Sequence, residues 1–361
     1  MTSISGTLST LTAANFRRET VADIQQRLER ASEEMSTGRK SDVYAALGFR
    51  ASELLSVRSS AASNENFLTG NRLVANKMEL MATTLGTVRE TVQDFLDIAI
   101  ANRTTPGPTV RVVAQSAKAA YEQVVTQLNA TYQGAHLFSG TESGRTALQT
   151  WGQANEITGL SPSDVLAGVV GPQIVDAADA QAKLDEVTRI FSSTNAAAPE
   201  THFEASFYRG TPLLDAGGVP SPRVTARIDD ATVLNYGIQA NDPPFTLALQ
   251  GLAMLASVDP ATVSDPGAYR VWVDAAVEGI LNGIEGITGI EARLGTQQRT
   301  VEDTIIRQEG RADVYEKYID ALEGVDPFEA ATRVKQLSTQ LEAAYAISAR
   351  ISRLSFLDYM R

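Results

Sequence analysis

Apolar residues at both ends of the chain recur at alternating intervals of three and four positions, which is the pattern of a coiled-coil helix. An isolated helix of this kind is marginal in water, so we expect the two seams to pack on each other and on neighbouring subunits. A closed bundle within one chain is the alternative. The seam members are Val21, Ile24, Leu28, Ala31 and Met35 near the N-terminus, and Val334, Leu337, Leu341, Ala344, Ser348 and Ile351 near the C-terminus.

Two longer seams lie further inside the chain, at residues 74–99 and 273–322. Their length and regularity predict an intramolecular coiled-coil core, and a further helix is predicted over about 109–132. Four glycines weaken the start of the second long seam by about 1 kcal/mol each relative to alanine, so we expect a break near residues 286–289. The four are Gly279, Gly283, Gly286 and Gly289.

The helical period fades between Gly140 and about Pro260. There, Ser161 followed by proline predicts a capped short helix. The alternation of Phe203, Ala205 and Phe207 predicts a strand, and residues 224–236 predict a β-hairpin. The predicted fold is mainly α, a long antiparallel helical coiled-coil rod formed by the N- and C-terminal segments, with a small mixed α/β insert domain.

This layout divides the chain into five predicted segments. Gly324 suits a helix end, and Asp326 with Pro327, Phe328 and Glu329 reads as a capped restart with a capping box. The segments are an N-terminal arm and assembly helix (1–40), the N-terminal part of the rod (41–139), the variable insert (140–262), the C-terminal part of the rod (263–325) and the C-terminal assembly helix (326–361).

Composition narrows the function. The net charge is −12 and no basic cluster stands out, which argues against nucleic acid and an anionic membrane surface as partners. No stretch approaches the roughly 18 apolar residues of a membrane-spanning helix. The first residues lack a basic start and an apolar run, so a cleaved signal peptide is not expected. Cysteine is absent, which excludes disulfides and thiolate sites.

Candidate chemistry is sparse. His136 and His202 are the only histidines and form no HExxH pair, so we expect structural roles for both. Residues 140–146, GTESGRT, lack the lysine and spacing of a phosphate-binding loop. We therefore expect no enzyme, no catalytic or metal site and no cofactor.

Three longer stretches carry a family resemblance: STGRKSDVYAALGFRASELLSVRSS from residue 36, NENFLTGNRLVANKMELMATTLGTVRETVQDFLDIAIAN from residue 64, and QLEAAYAISARISRLSFLDYMR at the end. Together they resemble the terminal helical regions of the bacterial flagellin superfamily. Shorter stretches, such as YQGAHLFSGT at 132–141 and VDPFEA at 325–330, are most similar to its hook-associated, hook–filament junction members.

That resemblance implies an extracellular, non-enzymatic flagellar subunit that joins hook to filament and is needed for motility. It further implies self-association in a ring, contacts with a neighbouring hook-associated protein and with flagellin, a cytoplasmic export chaperone on the C-terminal helix, and unfolded passage through the flagellar type III export apparatus. A filament flagellin is the runner-up. A surface protein whose insert binds a ligand is the lower-ranked alternative of a different class.

The side chains expected to carry assembly and partner binding are apolar positions of the two terminal helices. They are Val21, Ile24, Leu28, Met35, Val334, Leu337, Leu341, Ile351, Leu354 and Leu357.

Overall fold

The structure, a computed structural model, describes residues 10–103, 110–258, 263 and 265–359. Most of these residues are helical, which confirms the mainly α fold predicted from the sequence. The helices are α1 (Thr10–Thr37), α2 (Val43–Leu47), α3 (Ala51–Ala101), α4 (Val110–Leu128), α5 (Pro162–Val170), α6 (Ala177–Phe191), α7 (Pro243–Ala256), α8 (Pro266–Glu323) and α9 (Pro327–Tyr359). Two antiparallel hairpins pair β1 (Thr131–Tyr132) with β2 (Ala135–His136), and β3 (Thr225–Arg227) with β4 (Val233–Asn235).

The chain divides into two compact units. Unit 1 combines the residues up to Asn66 with those from Arg307 onward, and unit 2 comprises Phe67–Ile306. The long helices α3 and α8 therefore each contribute to both units. The five-segment division made from the sequence stays a prediction, because compactness alone does not test where a variable insert begins.

In unit 1, α1 runs antiparallel to α9, and the first turns of α3 lie against the last turns of α8. Gly38 adopts φ 68° and ends α1, as its conformational freedom allows. Its carbonyl accepts a hydrogen bond from the Val325 N–H at 2.9 Å. Leu47, Leu54 and Leu322 form a small buried cluster below this junction. Unit 1 thus has a small apolar core of its own.

In unit 2, side chains from all the helices from α3 to α8 contribute to one buried apolar core. The predicted seam of α3 is buried there from Met78 to Ala99, and the seam of α8 is buried at Val273, Val277 and Ile280. Trp272 is also buried, and its indole N–H donates to the Met254 carbonyl at 2.9 Å. Within unit 2, most positions of both long seams are therefore covered by other helices of this chain, as their spacing predicted.

The break predicted near residues 286–289 was wrong, because α8 is continuous through them. A Cβ on Gly283 would meet the nitrogen and Cβ of Ala248 at 2.8 Å, and one on Gly286 would meet Pro244 Cγ at 2.5 Å. These glycines allow α7 to approach α8 closely. Packing against α7 offsets their low helix propensity.

The helical content of the middle segment was underestimated. The short helix capped by Ser161 is confirmed, with a reciprocal capping box between Ser161 and Asp164. Helices α6 and α7, however, were not predicted. In α7, consecutive residues from Ala248 to Leu255 are all buried, so no amphipathic period marks the helix.

The strand predicted from Phe203, Ala205 and Phe207 was also wrong. Phe203–Phe207 forms a single π-helical turn, which brings Phe203 and Phe207 to the same side. Their rings stack with centroids 5.4 Å apart, and both contact Phe191. The predicted hairpin is confirmed as β3–β4, with Ala226 opposite Leu234.

Candidate assembly surface

The terminal helices α1 and α9 form a two-helix pair with the predicted seams facing each other. Ala31 is fully buried in this pair. All the other described seam positions except Met35 are half-buried, because two helices without a third cover only part of each seam. The half-buried positions are Val21, Ile24 and Leu28 on α1, and Val334, Leu337, Leu341, Ala344 and Ser348 on α9.

Polar contacts fix the register of the pair. Arg333 Nη1 lies 3.0 Å from Glu34 Oε2, and Gln25 Nε2 donates to the Tyr345 hydroxyl at 2.7 Å. Helix α9 begins at Pro327, whose preceding residue Asp326 accepts from the Phe328 N–H at 2.8 Å. Such exposed polar contacts contribute at most about 1 kcal/mol each, so they align the helices more than they stabilise them.

One of the predicted assembly residues, Met35, is not covered in this pair. It is 44% exposed, and the neighbouring Glu34 is half-buried instead. The backbone of α9 extends to Tyr359. Ile351, Leu354 and Leu357 lie outside the residues whose side chains are described.

Exposed aromatic side chains of unit 1 were missed by the sequence analysis. Phe49 is 91% exposed in the turn after α2, and Phe328 is 85% exposed in the first turn of α9. Burying one such side chain is worth about 1.5–3 kcal/mol, so a partner that covers them gains that free energy. The sequence marks these two side chains only weakly. Phe49 follows Gly48 and Phe328 follows Pro327, and neither aromatic residue belongs to a heptad pattern. The exposed apolar side chains of unit 1 are Phe16, Met35, Tyr44, Phe49, Leu55, Val314, Tyr318, Phe328, Tyr345 and Ile347.

A buried carboxylate, Glu323, holds the junction between α8 and the segment that follows α1. Glu323 is 1% exposed, and its Oε1 lies 2.6 Å from Arg58 Nη2. Arg39 Nη1 lies 3.8 Å from the other carboxylate oxygen, while the Lys40 ammonium donates to the Leu322 carbonyl at 2.7 Å. The end of α8 is therefore tied both to α3 and to the turn after α1.

A second polar contact joins α3 to α8 at the surface. The hydroxyl of Tyr318 donates to Glu53, which lowers the pKa of that carboxyl, and Arg50 adds to the effect. The same hydrogen bond raises the pKa of Tyr318. Both groups are solvent-exposed, so this contact sets geometry rather than a site for acid–base chemistry.

We also searched the described residues for a metal site, a membrane-spanning helix and a reactive histidine. Among them, no three His, Cys, Asp or Glu side chains converge in a group that would hold a metal ion. None of the helices in the described ranges is long and apolar enough to cross a membrane. His136 Nδ1 contacts the Asn129 carbonyl and His202 Nε2 contacts the Asn195 carbonyl, so both rings have local partners.

Comparison with known families accounts for this arrangement of helices. Residues 8–143 match the bacterial flagellin N-terminal helical region, and residues 277–360 match the bacterial flagellin C-terminal helical region. Together these matches cover more than half of the chain. The chain belongs to the bacterial flagellin family. The N- and C-terminal helical regions of flagellins are structural and non-enzymatic parts of the flagellum, outside the cell.

One solved structure supports the fold of this flagellin-family chain. It is a candidate flagellar hook-associated protein from Vibrio parahaemolyticus, with a TM-score of 0.50 over 77% of this chain and 99% of that one. The two sequences are 12% identical, so the likeness establishes the fold alone. None of the curated protein sequences matches this flagellin-family chain.

Proposed function

We propose that this flagellin-family chain is a structural subunit that joins hook to filament by packing of its terminal helices, and that it is needed for motility. The observation that carries the proposal is the incomplete cover of the α1–α9 pair. Its seam is only half-buried at Val21, Leu28 and Leu341, and large side chains such as Phe49 and Phe328 face solvent. Neighbouring subunits would supply the missing apolar cover.

The junction role, as opposed to filament, rests on the short stretches at 132–141 and 325–330. The first forms the β1–β2 hairpin and the turn after it, and the second leads into α9. Both resemble junction members of the family. The hook-associated name of the Vibrio parahaemolyticus protein agrees with this proposal.

The partners that we propose follow from the family resemblance and from the incomplete cover of the terminal helices. The chain would self-associate in a ring and contact a neighbouring hook-associated protein and flagellin. Before assembly, an export chaperone would cover the C-terminal helix, since Val334, Leu337 and Leu341 are apolar and only half-buried. An insert spanning about residues 140–262 belongs to the same proposal.

A filament flagellin is the runner-up, and deleting the gene separates the two. A strain without a junction protein would release flagellin into the medium and keep bare hooks. A strain without one filament flagellin would not release other flagellins in this way. Intact filaments and full motility after deletion would contradict both roles.

The alternative of a ligand-binding surface protein keeps one specific observation in its favour. Unit 2 contains a concave, partly aromatic cavity beside Phe191 and Phe203. A ligand site there is compatible with a structural role for unit 1, because none of the residues that line it belongs to unit 1.

A further inference from the structure

Unit 2 contains a cavity of about 640 Å³ between α6, α7 and the segment 202–214, here called the insert cavity. Its volume lies within the 300–1,000 Å³ range typical of small-molecule sites. Most of the wall is apolar. The apolar lining includes Phe191, Phe203, Leu213, Leu214 and Leu247.

One acidic side chain, Glu204, lines this apolar wall. Its Oε1 accepts hydrogen bonds from the Leu213 N–H at 2.8 Å and from Asn241 Nδ2 at 2.6 Å. Within the described part of the chain, Glu204 forms no ion pair with any lysine, arginine or histidine. A half-buried carboxylate without a cation is unfavourable next to apolar groups, so the site favours a positively charged occupant.

The other polar groups of the cavity agree with a cation. Asn241 is 1% exposed, and its Oδ1 is a buried acceptor without a donor among the described residues. Asn241 also lines the cavity, so this unsatisfied acceptor belongs to the same polar group as Glu204. His202 Nε2 donates to the Asn195 carbonyl at 2.7 Å, since a carbonyl can only accept.

One residue in the wall of the insert cavity has a strained backbone. Ser193 lines the cavity with φ 55°, a left-handed conformation that is uncommon for a residue other than glycine. Its hydroxyl accepts from the Glu204 N–H at 3.3 Å. Such strain persists where surrounding contacts enforce it, and it is common at binding sites.

We propose that the insert cavity binds a small organic cation, in which an ammonium or guanidinium group is carried on an apolar body. The charged group would pair with Glu204, and the apolar body would pack between Phe203, Leu214 and Leu247. The inference does not depend on the proposed junction role, because the cavity lies within unit 2.

The test is a ligand-observed NMR titration of the full chain with three compounds of similar shape. 2-Phenylethylammonium is the cation, 2-phenylethanol the neutral analogue and 3-phenylpropionate the anion. We expect the cation to bind at least about tenfold more tightly than the alcohol and the anion not to bind. Equal affinity for cation and alcohol, or no binding of the cation, would overturn the proposal.

Two pairs of variants locate the site. Glu204→Gln keeps the shape and one acceptor oxygen but removes the charge, so the affinity for 2-phenylethylammonium should fall at least about tenfold. Glu200→Gln removes an exposed charge outside the cavity and should leave that affinity unchanged.

The second pair keeps the test valid if Glu204→Gln unfolds. Leu214 and Val219 are both exposed on one loop, but only Leu214 lines the cavity. Leu214→Arg places a competing cation at the rim and should abolish binding, while Val219→Arg should preserve it. Identical behaviour of the two arginine variants would contradict the assigned site.

Discussion

Replacing Gly283 with alanine tests whether the glycines of α8 serve close packing. The new Cβ would lie 2.8 Å from Ala248 N and 2.9 Å from the Pro244 carbonyl oxygen, both of which are backbone atoms. Alanine gains about 1 kcal/mol of helix propensity, but such overpacking costs about 1–3 kcal/mol. Because both contacted atoms belong to the backbone and cannot rotate away, the cost lies in the upper part of that range, at about 2–3 kcal/mol. We therefore expect a net loss of about 1–2 kcal/mol in the free energy of unfolding of unit 2.

Gly289→Ala is the matched control, six residues along the same helix. A Cβ on Gly289 would meet no neighbouring element within 4 Å, so only the propensity gain of about 0.5–1 kcal/mol applies. Thermal unfolding followed by circular dichroism should show a melting temperature several degrees lower for Gly283→Ala and about 2 °C higher for Gly289→Ala. If both alanines stabilise the protein, α7 does not press on α8 at Gly283, and the packing argument is refuted.

Three further predictions concern unit 1. Leu341→Asp should prevent assembly and motility with little change in the far-UV circular dichroism of the monomer, because partners would cover this position; Thr339→Asp, on the exposed face, should assemble normally. Arg58→Met should lower the free energy of unfolding of unit 1 by about 1–3 kcal/mol in urea titrations, since it removes the 2.6 Å partner of buried Glu323 and leaves only the longer contact with Arg39 at 3.8 Å; an unchanged midpoint would contradict this. Limited proteolysis of the monomer should trim α1 and α9 before α3, and early cleavage within residues 74–99 would show that the terminal helices belong to a closed core.

The long helices could be predicted because heptad spacing reports burial directly. Leu85 and Val92 on α3, and Ile280 and Leu294 on α8, are all buried where the repeat placed them. Each of these side chains faces the interior of unit 2, so apolar and polar positions alternate with the helical period. For α3 and α8, the heptad spacing therefore predicts both the helix and the face of the helix that is buried.

Features that depend on a second element could not be predicted in the same way. Gly283 reads as a weak point of a helix until Ala248 of α7 is known to lie against it. Helix α7 has no polar face to mark its period. In the insert cavity, Glu204 and Asn241 are 37 residues apart, and no spacing rule brings them together.

The exposed aromatics of unit 1 were missed for the opposite reason. Phe49 lies in the short 3-10 helix after α2 and Phe328 in the first turn of α9, and neither belongs to a heptad pattern that would distinguish a side chain facing solvent from one packed in the core. Sequence reasoning placed the assembly function on the seams of α1 and α9. The structure adds these side chains, whose cover would have to come from another molecule.

The pairing of α1 with α9 also has a consequence for the order of events when the protein is made. Gln25 and Tyr345, which are hydrogen-bonded in the pair, are separated by 320 positions. At about 5–20 residues per second, the ribosome synthesises the second roughly 15–65 s after the first. During that interval, α1 has no intramolecular partner, while the core residues of unit 2 are already being completed. The α1–α9 pair is therefore the last long-range contact of this chain that synthesis makes available, and α1 stays without its partner helix until the chain is almost finished.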